Sequence, residues 1–239
     1  MLFSILAGGD VRQIVLNLLL LIPVILLSLS IHEAAHGYIA YKMGDPTAYN
    51  IGRVTINPAK HLDPMGSLFM LVFGYGWAKP VPINARNFKN PKRGMALTAI
   101  AGPISNLLLG LITTVLCASL YFTEVYLYYT GALSNDFLIR ILDVLCLMLY
   151  LFGYMNFLLA AFNMIPVPPF DGSRFLSLFL PDKTYFKLMR YERYIMVGLL
   201  VALIVCSRIF SFSPFAWVAE NLFNLIHNSV FNLLLSTIS

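Results

Sequence analysis

His32-Glu33-Ala34-Ala35-His36 places two imidazoles and a carboxylate directly after a nearly unbroken apolar run, Ile14 to Ile31 (IVLNLLLLIPVILLSLSI). On a helix, positions i and i+4 share one face, so both histidines can reach a single metal ion. Glu33 then stands beside that ion as a candidate general base, the arrangement of a zinc hydrolase. Polar and ionisable groups so close to a lipid-length segment are costly unless something there needs them.

A catalytic zinc site takes three protein ligands and keeps one position open. His61 and His227, the remaining histidines, have no supporting context and read as a loop residue and an interface residue. A carboxylate is the better candidate. Asp171 lies in Asn163-Met164-Ile165-Pro166-Val167-Pro168-Pro169-Phe170-Asp171-Gly172, at the end of a long apolar segment. The prolines end a helix and fix an extended turn, and Gly172 lets the chain turn tightly. The alternative for this segment alone is a plain proline-rich loop with an Asp-Gly turn.

These residues need elements to hold them, and composition gives their class. Of 239 residues 59% are hydrophobic and 11% charged, with a mean hydropathy of +0.78. Soluble domains carry roughly 25% charged residues, so the chain reads as an all-α polytopic membrane protein. Its net charge of +5 comes from scattered Lys and Arg, which argues against a nucleic-acid partner. Cys117, Cys146 and Cys206 lie in apolar segments without CxxC spacing and read as small core residues. The amino-terminal segment reads as a retained helix, because it lacks a basic leader region and a small-residue cleavage site.

A membrane-spanning helix takes about 20 apolar residues. Four to five such helices are expected in one domain covering 1–239: about 12–41, 95–122, 137–162 and 194–210. A stretch at 214–238, mixed with Glu220 and several Asn, either spans the bilayer or lies in its interface. Residues 51–58 and 80–84 are broken by Gly and Pro and partly alternate, so a small membrane-associated β segment is expected after the first helix. Gly66 to Trp77 is apolar but too short to span, and is either re-entrant or an interfacial loop.

Loop charge orients the chain. Lys42, Arg53, Lys60, Lys79, Arg86, Lys89, Lys92 and Arg93 are opposed only by Asp45 and Asp63, and Thr123 to Asp136 has no Lys or Arg. The next connection carries Arg174, Lys183, Lys187, Arg190 and Arg193. By the positive-inside rule the first and third connections are cytoplasmic, which puts both the histidine pair and Asp171 toward the cytoplasmic face.

HEAAH after an apolar run, paired with N-x-x-P-x-P-x-x-D-G downstream, resembles the site-2 protease family of intramembrane zinc metalloproteases. Gly76-Trp77-Ala78-Lys79-Pro80-Val81-Pro82 and Ala101-Gly102-Pro103-Ile104-Ser105-Asn106 are similar as well. The likeness covers about residues 15 to 180 and is greatest to compact forms without an inserted PDZ domain; Phe170 stands where the family usually has Leu. The resemblance implies one Zn2+ per chain held by His32, His36 and Asp171, Glu33 as general base, and Asn163 as a donor to the oxyanion. It implies cleavage of membrane-spanning protein substrates within the lipid bilayer of a cell membrane. Two readings from other classes compete: a catalytically silent scaffold of the same fold, and a metal or ion transporter. The transporter is disfavoured because the motifs make one site and no paired half-helices. Oligomeric state is not readable from these residues.

Overall fold

The computed structural model describes residues 11–63, 79–133, 135–209 and 213–237. Its helices are α1 (Val11–Lys42), the one-turn α2 (Thr47–Asn50), α3 (Pro91–Tyr129) and α4 (Asp136–Asn163). The short helices α5 (Asp171–Leu176) and α6 (Asp182–Arg190) follow, then α7 (Glu192–Ile209) and α8 (Pro214–Leu235). Three begin at a polar cap that accepts the otherwise orphaned N–H groups of the first turn. Asn90 accepts from Arg93, Asn135 from Phe137 and Leu138, and Ser213 from Ala216. Pro91 and Pro214 occupy first-turn positions, where a missing N–H costs nothing.

All five long helices expected from the sequence form. Among the described residues, three stretches, Leu18–Lys42 within α1, Pro91–Tyr129 and Asp136–Asn163, are long and apolar enough to cross a membrane. The expectation of four to five spans is therefore met in number of helices but not in number of clear spans. α7, with 18 residues, measures roughly 27 Å against a hydrocarbon core of about 30 Å. α8 interrupts its apolar pattern with Glu220, Asn221, Asn224, His227 and Asn228.

α1, α3 and α4 pack against one another, and α8 lies on α3 and α4. Lipid tails are as apolar as leucine, so small residues and polar contacts must drive this packing. Gly110 on α3 receives the Phe157 ring of α4, and Gly153 on α4 faces Thr114 and Phe223. Cys117, Phe157, Ala219 and Phe223 form a buried cluster, and the Asn156 amide on α4 donates to Ser28 Oγ on α1 at 2.9 Å. Ile104, Leu107, Leu108, Leu111, Ile112 and Leu116 remain exposed along α3, the face left for lipid. Cys117 is a buried free thiol, as expected of a small core residue, and Cys146 a free thiol that is partly exposed; the Cys206 side chain lies outside the described residues.

The β segment expected after the first helix is not confirmed, an isolated bridge at Leu62 apart. Among the described residues there is no sheet; 51–57 forms turns and 80–84 runs extended. The Lys79 N–H donates to the His61 carbonyl at 2.8 Å, and from there to residue 84 side chains take up the backbone groups. Asp45, fully buried, accepts from the Asn84 N–H (2.7 Å), the Asn87 amide (2.7 Å) and the Thr47 N–H (3.1 Å). Burial pushes the Asp45 carboxyl up, but hydrogen bonds from Thr47, Asn84 and Asn87 outweigh it and hold the group below the ordinary carboxylate range. Residues 66–77, expected to be re-entrant or interfacial, lie outside the described residues, as does the Gly76-Trp77-Ala78 part of the motif.

Candidate metal centre

His32 and His36 project from one face of α1 with ring centroids 4.5 Å apart and planes at 86°. Asp171 arrives from the other end of the site, as the first residue of α5. α4 stops at Asn163, and the chain doubles back through the proline-rich turn so closely that Gly172 has no room for a side chain. A Cβ there would lie 2.4 Å from the Met164 carbonyl oxygen and 2.6 Å from that of Ile165. Phe170 meets the Phe162 ring edge-to-face, with centroids 4.5 Å apart. Ser173 is buried and closes the turn, its hydroxyl donating to the Phe170 carbonyl at 2.7 Å.

Three ligand atoms converge as a result. His32 Nε2 lies 3.1 Å and His36 Nε2 3.2 Å from Asp171 Oδ2, and the two nitrogens are 2.9 Å apart. Both histidines are buried, at 5% and 6% exposure. His36 Nδ1 donates to the Thr98 carbonyl at 2.8 Å. A carbonyl only accepts, so Nδ1 carries the proton and Nε2 is left as the ligating nitrogen. Ligands about 2.0–2.1 Å from a tetrahedral zinc stand roughly 3.3 Å apart. The observed separations are close to that, and two imidazoles with one carboxylate are a zinc donor set, so the residues present fit the ion.

Gly102 on α3 backs the centre. A Cβ at this position would sit 2.4 Å from His36 Nε2 and 2.6 Å from both His32 Cε1 and Nε2. What packs against Gly102 is the pair of ligating nitrogens. Glu33 turns to the side of the pair, toward the extended segment, where its Oε2 accepts the Val81 N–H at 2.9 Å. The Asn163 amide donates to the Leu159 carbonyl one turn back at 3.0 Å. His61 is buried in the loop and bonds the Thr55 carbonyl at 2.8 Å, while His227 stacks on Phe223 and Phe231. Sequence reasoning passed over Val81, Asp45 and Arg53. Only the Asp45-x-Thr47 pair, which suits a turn closed by an Asp side chain, carries a local signal for any of them.

The sequence profile of peptidase family M50 matches residues 20–206. The chain is 39% identical over 183 residues to a Bacillus subtilis (strain 168) protein named "Putative zinc metalloprotease YwhC", covering 76% of this chain and 78% of that one. It is 24% identical over 164 residues to "Putative zinc metalloprotease Rip2" of Mycolicibacterium smegmatis, covering 66% of this chain and 56% of that protein. No solved structure matches it significantly.

Proposed function

Because this chain belongs to peptidase family M50, we propose that it is a zinc endopeptidase that hydrolyses peptide bonds of membrane-spanning proteins near the cytoplasmic face of a cell membrane. The observation that carries the reading is the convergence of His32, His36 and Asp171 from α1 and α5 onto one point. These three hold the metal and Glu33 works beside it. When bound, zinc supplies Lewis-acid polarisation of water and of the scissile carbonyl. Glu33 takes the proton from the attacking water and returns it to the departing nitrogen. Asn163, at the end of α4, exchanges its bond to Leu159 for one to the carbonyl oxygen as that oxygen gains charge.

The basic connections after α1 and α4 support a cytoplasmic placement of the centre. α7 and α8 complete a single domain, α7 as a further span and α8 as a span or an interfacial helix. A substrate helix must unwind locally before its peptide bond is reachable, since its own hydrogen bonds and side chains shield it.

The test is cleavage of single-span model substrates by protein purified in detergent, with zinc measured on the same samples. Glu33→Gln is expected to keep stoichiometric zinc and lose cleavage by at least ~100-fold; chelation should abolish cleavage and added zinc restore it. Wild-type protein that holds zinc yet cuts none of a broad panel would favour the silent scaffold. Unchanged zinc content in His32→Ala would remove the site assignment.

A further inference from the structure

Residues 79–84 run extended beside the carboxyl-terminal half of α1, and their backbone is fastened by side chains at several points. Arg53 Nη2 donates to the carbonyls of Lys79 (3.3 Å) and Pro80 (3.1 Å). The Val81 N–H donates to Glu33 Oε2, and the Asn84 N–H to Asp45 Oδ2. Val81 is buried at 6% exposure, its side chain against Gly37, where a Cβ would lie 3.3 Å from Val81 Cγ1. Asp45 and Arg53 are themselves buried, at 0% and 7% exposure. Burying a charge is costly unless it gains specific partners; Arg53 places both of its bonds on this stretch, and Asp45 ties Asn84 of the stretch to Thr47 and Asn87. Pro80 and Pro82 flank Val81; each fixes its own φ and has no N–H. The stretch is therefore stiff, and the Val81 N–H is the one donor between them.

We infer that segment 79–84 is a positioning arm for Glu33, with Asp45 and Arg53 as its fasteners. A glutamate has three side-chain torsions, and an N–H on Oε2 selects one conformation and leaves Oε1 for the proton. Asp45 and Arg53 are positioning residues: they act on Glu33 only through the backbone of Val81. The inference rests on the reading of Glu33 as the general base, and it gives the connection between α1 and α3 a role in turnover.

Two measurements on the full chain in detergent test it. Hydrogen exchange reads the arm without catalysis, because Pro80 and Pro82 leave few exchanging amides in peptides covering 79–84. Glu33→Ala and Asp45→Ala should each speed exchange there while α4 keeps its protection; wild-type exchange in both variants would overturn the arm. Turnover reads its effect on chemistry. A misplacement of about 1 Å costs on the order of 100-fold. Asp45→Ala, Arg53→Ala and Val81→Pro should therefore each lower kcat roughly 10- to 100-fold, with KM and zinc content near wild type. Arg53→Lys should recover part of the loss. Because all act through one contact, Asp45→Ala combined with Val81→Pro should be no slower than the worse single variant. Losses that multiply, or that fall on KM alone, would overturn the proposal. An inactive wild type with a protected arm would instead sink the protease reading and leave the arm standing.

Discussion

Gly102→Ala places a single methyl group against the two ligating nitrogens, where there is no room for one. The new Cβ would stand 2.4 Å from His36 Nε2 and 2.6 Å from His32 Nε2, against an ordinary contact that begins near 3.4 Å. The shortfall is about 1 Å, while metal ligation tolerates distance errors of roughly 0.2 Å. His36 cannot slide freely, since Nδ1 is held on its other side by the Thr98 carbonyl. Either the imidazoles rotate off the ligand point or α3 moves away from α1. Overpacking of this kind costs about 1–3 kcal/mol. Falling on the metal-bound form, that is a rise of roughly 5- to 150-fold in the zinc dissociation constant. The assay is zinc competition against a chelator of known affinity, with thermal unfolding followed in the same detergent. Gly198→Ala on α7 is the control, because a Cβ there meets nothing within 4 Å; it should leave zinc affinity unchanged and slightly favour the helix. Wild-type zinc affinity together with wild-type cleavage in Gly102→Ala would refute the claim that this glycine backs the ligands.

Asp45 gives a pH dependence. Its folded pKa is lowered, so its contribution to stability is fully present above the unfolded value near ~3.9 and is lost as pH falls through the folded value. Unfolding midpoints of the wild type should therefore drop below about pH 4 more steeply than those of Asp45→Asn, which should be less stable at neutral pH by about 1.5–3 kcal/mol. Phe223, at 4% exposure, anchors α8 against Cys117 and Phe157. Phe223→Ala should cost roughly 3–5 kcal/mol in detergent unfolding, and a loss under about 1 kcal/mol would mean that α8 is not held by this cluster.

The long helices were legible because each is an apolar run of spanning length, and a spanning helix satisfies its own backbone whatever surrounds it. Their ends were less so. α3 runs to Tyr129 rather than stopping near 122, through Tyr126, Tyr128 and Tyr129, whose amphipathic rings a hydropathy reading discounts. The strand-like reading of 80–84 identified extended chain but not what its backbone bonds to. Alternation and prolines describe how a backbone runs; they do not say whether a strand or an Asp, Glu and Arg will take its hydrogen bonds.

The sequence by itself determined the histidine pair, because a spacing of four residues on a helix is a local matter that no packing alters. It also marked Asp171 as a candidate, through prolines and a glycine that constrain the turn in which the acid sits. Only the tertiary structure decided that Asp171, 135 residues beyond His36, closes on that pair within 3.2 Å. It alone put Gly102 under both ligating nitrogens, turned the Asn163 amide back onto its own helix, and laid the Val81 N–H on Glu33. Those facts depend on how α1, α3 and α4 cross and on where a loop is fastened. Contacts between segments far apart in the chain leave no periodic signature in any one of them.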